Sequence, residues 1–476
     1  MPAQPKQPDQ RAPAVDHPSP LGALATIFHR RNIAVGEASD GSVLLVRPDS
    51  VVFDAPRNEE EQRRLDELVD RNQLAPRERT TDERLGIVVA DVPDQPLARI
   101  RGEPRWSLDG VNGVVGSART VGLSAEYNHV VIGAQTVNGS PLGAPAAWAG
   151  EMAFVGRTIE HDGETLLLTL AEPSAQPPVM RQPLRLEGHT APRVLILDSG
   201  LRTVAADRTE GSRRRPEHPA LQDIQPHPDW KVSGVPGDVD DEDEPFDPPP
   251  GVRPSVAGST NVLDFEAGHG TFIAGVIRQT CPDADITAKG VLSSFGDGDV
   301  AGVLESFATI LHQEGPFDVV VMSFGANLVD DEAGLFGREL TTLLGDHTLG
   351  IAAAGNQSTC RPYFPAALPG IIGVGGLAAD GKAWFTNFGG WVDACAPAVD
   401  VVSTFFSDFT ETIEGKEFRR YEQWARWSGT SFAAPKVAAV VAQEMYLNQV
   451  SPKEAWKRLN SHRQFRYPDL GVVFNV

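Results

Sequence analysis

Between residues 193 and 375 the chain alternates short apolar runs with stretches whose apolar residues recur on one helical face. VLIL (194–197), DVVVMS (318–323), LGIAAA (349–354) and IIGVG (371–375) are too short for helices and predict buried strands. In 300–311 the residues Val300, Val303, Leu304, Phe307, Ile310 and Leu311 fall at i, i+3, i+4, i+7, i+10 and i+11, which is one buried helical face. Strands apolar throughout, alternating with amphipathic helices, predict a parallel sheet covered on both sides. SPKEAWKRL (451–459) reads as a capped helix, with Ser451 as cap, Pro452 in the first turn and Glu454 three residues after the cap.

The first part of the chain has a different texture. Residues 21–31 predict a helix, SVLLVRP, LGIVVADV, HVVIGA and ETLLLTLAE predict strands, and EEEQRRLDELVDRN predicts an exposed charged helix. These describe a smaller α+β unit over 21–185, without repeats or a motif of its own. Residues 1–20 carry six prolines and no apolar run, and are expected to be a disordered tail. The larger unit spans 190–476. A long segment, roughly 205–262, interrupts it and is expected to be irregular. Seven carboxylates crowd into 238–247, which reads as a solvated loop. A structural calcium site there is the alternative, but the spacing lacks the glycine-centred pattern of a dedicated calcium loop.

A chain of 476 residues can bury a sizeable core. Its net charge of −22 argues against nucleic acid or an anionic membrane surface as partner, since both require a positive field. No run approaches the ~20 apolar residues of a membrane span. No signal peptide is seen, and only three cysteines occur, Cys281, Cys360 and Cys395, so the expected location is the cytoplasm. A bridge between Cys360 and Cys395 remains open.

Ligands of parallel sheets bind at the carboxyl ends of the strands. Asp198-Ser199-Gly200 follows VLIL, Gly355-Asn356 follows the run ending at 354, and Ser323-Phe324-Gly325 closes another strand. His269 stands between Gly268 and Gly270 at a helix start, and Ser431 stands in WSGTSFAAPKVAA at the start of another. Each has a plain explanation alone: a turn cap, a left-handed turn residue, a tightly packed helix end. Together they are the parts for acyl transfer. A serine hydroxyl needs a base, which His269 can supply, and the imidazole needs a carboxylate to fix its tautomer, which Asp198 can supply. The oxyanion needs two donors, which the Asn356 side-chain amide and the Ser431 backbone N–H can supply. The glycines beside His269 are expected to leave its ring uncrowded. Metal-dependent hydrolysis has no support, since no H-E-x-x-H or Cys/His cluster occurs.

DSG (198–200), GHGT (268–271), AAAGN (352–356) and GTSFAAP (429–435), in this order, resemble the motifs of the subtilisin-like serine proteases, the subtilase family of peptidase S8 type. MSFG and FTNFGGWVDACAPAVDVVST add weaker echoes, and the likeness covers about 193 to 455. The resemblance implies a seven-stranded parallel sheet, a three-layer α/β fold and endopeptidase activity without a required cofactor. It implies the catalytic residues Asp198, His269 and Ser431, with Asn356 in the oxyanion hole. Substrate polypeptide would lie along Ser323, Phe324 and Gly325, with Gly355 nearby. QSTCRP, between Asn356 and YFPA, is shorter than the pocket wall of the family, so side-chain specificity does not carry over.

Residues 21–185 match no recognisable inhibitory propeptide. A prodomain, a recognition module and a site for a regulatory partner remain open. A prodomain would be cut near 175–192, where the chain is Pro-rich. Two other functions compete with hydrolysis: a peptide ligase or cyclase using the same acyl-enzyme, and an inactive binding protein acting through the N-terminal unit.

Overall fold

The structure is a computed structural model and describes residues 31–37, 43–77, 85–93, 97–100, 103–133, 157–161, 164–205, 214–227, 262–329, 332–413, 415–462 and 465–476. The tail 1–20, nearly all of the predicted helix 21–31 and the acidic run 238–247 lie outside these residues.

The larger unit is a parallel sheet between two apolar layers. In spatial order its strands are Gln225–His227, Asp285–Gly290, Arg193–Asp198, Val319–Met322, Leu349–Ala353, Ile371–Ala378, Ala394–Pro397 and Gly471–Val473, all parallel to their neighbours. The short strand Arg466–Tyr467 closes one edge antiparallel. All four predicted strands form. Strand side chains alternate faces, and Arg193–Asp198 shows the consequence. Val194 and Ile196 join a core with Phe272 and Ala438, while Leu195 and Leu197 join one with Leu304, Phe307 and Phe336. The periodic stretch at 300 forms helix Val300–Glu314, capped by Asp299, whose side chain accepts from Gly302 N. Helix Pro452–His462 forms as predicted, with Ser451 Oγ accepting from Glu454 N at 3.3 Å.

The sheet is wider than the seven strands the family resemblance implies. Gln225–His227 extends it, from inside the segment expected to be irregular. An edge strand of three residues is held by backbone bonds to one neighbour and needs no apolar run, so the sequence pattern did not mark it.

The N-terminal unit is an antiparallel sheet with helices on one face. Strands Ala34–Glu37, Val43–Asp54, Ile87–Asp91 and Ala125–Gly133 pair with one another. Helices Glu59–Asn72 and Asp109–Thr120 cover the face bearing Val51, Phe53, Val88 and Ala90. The second helix was not predicted. Its glycines at 113 and 116 weaken helical propensity. Yet Val111, Val114, Val115 and Ala118 recur at i, i+3, i+4 and i+7, a signal that could have found it.

The opposite face of that small sheet carries Val52, Ile87, Val89 and Val131. It packs on helices Val300–Glu314 and Gly334–Leu344 of the larger unit, against Val300, Leu335 and Phe336. Strand Ala125–Gly133 continues beyond its own sheet and pairs antiparallel with Asp297–Asp299 and Phe324–Gly325. It joins the units and is called the docking strand below.

The chain after the N-terminal unit returns early to the larger one. Leu170 and Ala171 are buried in the larger core, and Glu172–Pro173 pairs with strand Trp424–Trp427. Arg419, itself paired with Glu411, donates to the carbonyls of Thr169 (3.1 Å) and Ala171 (3.0 Å), and Tyr421 donates to Ala171 at 2.8 Å. Part of the region 21–185 therefore packs as one layer with 190–476. All three cysteines are free thiols, Cys281 and Cys395 buried and Cys360 exposed, so the open Cys360–Cys395 bridge does not form.

Candidate active site

The strand Arg193–Asp198 ends with Asp198 at the carboxyl edge of the sheet, fully buried. Its Oδ1 accepts from Ser199 N at 2.8 Å and lies 2.7 Å from His269 Nδ1. His269 opens helix His269–Thr280, whose cap Gly268 has φ 80°, a left-handed geometry that glycine adopts without strain. A Cβ on Gly270 would lie 2.0 Å from the carbonyl oxygen of Gly200. The flanking glycines thus bring the histidine helix hard against the Asp198-Ser199-Gly200 turn. The expectation of an uncrowded ring is corrected: His269 is fully buried, its ring 5.5 Å from that of Trp427 and 5.4 Å from that of Phe432.

Phe432 is the neighbour of Ser431, so the same packing sets the imidazole beside the first turn of helix Thr430–Asn448. Ser431 Oγ donates to the carbonyl of Ser323 at 3.1 Å, and Ser323 Oγ donates to the carbonyl of Ser431 at 2.9 Å. A helix start concentrates amide donors and partial positive charge. Pro435 stands beyond that first turn, inside the helix, and supplies no N–H to the Ser431 carbonyl four residues before it, so the expectation that it falls in the first turn is corrected: the Ser323 hydroxyl satisfies that carbonyl instead. Asn356 Oδ1 accepts from Thr430 N at 3.0 Å, which fixes the amide. Its Nδ2 is buried, with no hydrogen-bond partner among the described residues. Gly355 N donates to Thr430 Oγ1 at 3.1 Å, so Gly355 ties the asparagine turn to the serine helix.

The edge Ser323, Phe324 and Gly325 is occupied. Phe324 pairs with Gly133 and Gly325 with Ile132 of the docking strand. On its other side Ile132 pairs with Asp297, and Gly133 N donates to the carbonyl of Gly296 at 2.9 Å. Tyr363 OH donates to the carbonyl of Ile132 at 3.3 Å.

Polar contacts fasten this occupancy. Arg47, fully buried, donates to Asp297 at 3.0 Å and to Asp299 at 3.4 Å. Burial pushes the Asp297 carboxyl up, but Arg31 and Arg47 outweigh it and hold the group at about 2. Glu126 accepts from Leu335 N at 2.9 Å and Asn128 Oδ1 from Ala301 N at 3.1 Å, so each satisfies a first-turn amide of a helix in the larger unit. His129 is buried in the same contact, and burial pushes its imidazole down to about 4.

Sequence reasoning brought Asp198, His269, Ser431, Asn356, Ser323 and Gly355 to one site, and the structure does place them together. It missed Glu266, three residues before His269 in FEAGHG. This side chain is fully buried, with Oε2 3.8 Å from His269 Nδ1. Burial pushes its carboxyl up to about 8, with Asp198 and Asp297 adding to the rise and His269 opposing it. Among the described residues no group of three or more His, Cys, Asp or Glu side chains is placed to hold a metal ion.

A family model described as the subtilase family, Peptidase_S8, matches residues 191–463. A thermophilic serine proteinase of Bacillus sp. (strain AK1) is 30% identical over 185 residues, covering 37% of this chain and 41% of that protein. A cuticle-degrading serine protease of Arthrobotrys oligospora is 30% identical over 182 residues, again 37% and 41%. The chain thus spans about two fifths of the length of these relatives. Fervidolysin of Fervidobacterium pennivorans, a keratinolytic enzyme related to subtilisin, aligns over 94% of this chain and 62% of its own, with 15% identity and a TM-score of 0.56. That likeness is one of fold, and its coverage takes in the N-terminal unit. With the family model matched over more than half its length, from the strand carrying Asp198 to the helix after Ser431, the chain belongs to the subtilase family.

Proposed function

We propose that the chain is a serine endopeptidase whose own N-terminal unit occupies its substrate groove. The observation that carries the reading is the buried 2.7 Å contact of His269 Nδ1 with Asp198 Oδ1, on a ring packed against the neighbour of Ser431. Asp198 holds the imidazole with its proton on Nδ1, which leaves Nε2 as the base. Ser431 Oγ turns from the Ser323 carbonyl, gives its proton to Nε2 and bonds to the carbonyl carbon of the substrate. The carbonyl oxygen takes the negative charge within reach of Asn356 Nδ2 and the amides of the first turn. The C–N bond then breaks, the amine leaves with the proton from the imidazolium, and water repeats the sequence on the ester.

The pairing of Ile132 and Gly133 with Gly325 and Phe324 supports the edge as the place where an extended peptide binds. It also supports the larger unit of the same chain as the partner of the N-terminal unit. The register then bears on processing. The docking strand runs toward the level of Ser323, beside Ser431, well before the Pro-rich 175–192 region.

A fluorophosphonate tests the chemistry. Intact-mass spectrometry of the full chain should show one adduct, absent from Ser431→Ala. An adduct that survives in Ser431→Ala would remove Ser431 as nucleophile.

A further inference from the structure

Glu266 stands where a substrate side chain would go. A Cβ built on Gly133 would lie 1.8 Å from Glu266 Oε2 and 2.2 Å from Oε1. A Cβ on Gly296, across the groove, would lie 2.4 Å from the Glu266 carboxyl carbon. Neither carboxyl oxygen has a hydrogen-bond partner among the described residues, and the side chain is fully buried. The docking strand meets this obstruction with a residue that has no side chain, in the sequence VVIG.

The register says which substrate position this is. Gly133 lies opposite Phe324, so the next residue of an occupying strand falls opposite Ser323, whose carbonyl holds the Ser431 hydroxyl. That next residue is the one acylated. We propose that Glu266 fills the subsite for the residue just before the acylated one, so that the groove selects peptides with glycine there. The inference rests on the endopeptidase reading and adds a substrate class to it. A peptide bound in this register covers Glu266 as the docking strand does. The carboxyl is then desolvated, carries its proton at neutral pH and offers no charge to a lysine or arginine. Shape, not charge, sets the choice.

Two measurements on the full chain test it. The first needs no catalysis. Gly133→Leu should lower hydrogen-exchange protection of the Val130–Gly133 amides about tenfold or more, as overpacking does. Adding Glu266→Ala should restore it, and adding Glu266→Gln, which keeps the volume, should not. Gly133→Leu docking as well as the parent, or failing equally in all three backgrounds, would overturn the proposal whether or not the chain hydrolyses peptides. The second compares peptides differing only at the residue before the acylated one. Glycine should exceed leucine about tenfold or more in kcat/KM, and Glu266→Ala should erase the difference. A parent that prefers lysine or arginine there would overturn the proposal, because the carboxyl would then have moved aside to meet a cation. A Ser431→Ala chain that still cleaves would sink the endopeptidase reading instead, leaving the exchange result standing.

Discussion

The two units bury their sheets differently. The larger one covers both faces of its parallel sheet with its own helices, and Val194, Leu195, Ile196 and Leu197 are all buried within it. The N-terminal unit covers one face itself and leaves Val52, Ile87, Val89 and Val131 to be covered by helices of its neighbour. A sheet buried on both sides within one unit gives a rigid frame, on which catalytic groups keep their distances. A sheet with one face lent to a neighbour gives a unit whose stability is largely its docking. In the function proposed above, chemistry belongs to the first and control of access to the second.

The strongest way to break that division is Arg47→Ala. It leaves Asp299 buried without its cation and Asp297 with Arg31 alone, a loss of about 3–5 kcal/mol for a broken buried pair. Exchange at the docking strand should rise by two orders of magnitude or more, and peptide cleavage should rise with it, while the strands around Asp198 stay protected. Equal loss of protection in both units would mean that they fold as one body.

Asn356→Ala should act on the other side of the division. Loss of one oxyanion donor lowers kcat about 10²–10³-fold. Docking-strand exchange should remain as in the parent, since the hydrogen bond that holds Asn356 comes from Thr430 of the larger unit. A rise in KM or a loss of docking, with kcat unchanged, would give Asn356 a structural role.

Smaller effects come from the helix starts that the N-terminal unit satisfies. Glu126→Ala or Asn128→Ala removes the acceptor of one first-turn amide and should weaken docking by about 1 kcal/mol each. Exchange of the docking strand in each single variant measures this.

The mildest handle is pH. Glu266 is raised in the folded chain to about 8, so it binds more protons folded than unfolded. Its contribution is present below the ordinary carboxylate range and is lost as pH rises toward 8. His129 is depressed to about 4, so its contribution is present above its ordinary value of 6.5 and is lost as pH falls toward 4. Docking should be tightest between the two losses. Glu266→Gln should flatten the alkaline limb and His129→Gln the acid limb, read by docking-strand exchange across pH. Limbs unchanged in both variants would place the titrating groups elsewhere.

Among the described residues, no helix is long and apolar enough to cross a membrane. The acidic field of the sequence instead finds a local use at the interface, where Asp297 and Asp299 receive Arg47.

The sequence by itself determined the parallel sheet and which residues make up the candidate site. Runs such as VLIL and DVVVMS have no reading in a folded chain other than burial. The residues at their ends are chemically too specific to be turns alone: Asp198, Asn356, and the helix starts at His269 and Ser431. Local composition is enough for such features because each is a contiguous stretch with one physical demand. Tertiary structure alone decided the rest. Gln225–His227 becomes a strand only because Asp285–Gly290 offers it an edge. Val52, Ile87, Val89 and Val131 look like ordinary core residues until the second unit is seen to cover them. Gly133 and Glu266 are distant in sequence and individually bland. Their meaning lies in a register between strands, and a register is a relation between segments that no single segment contains.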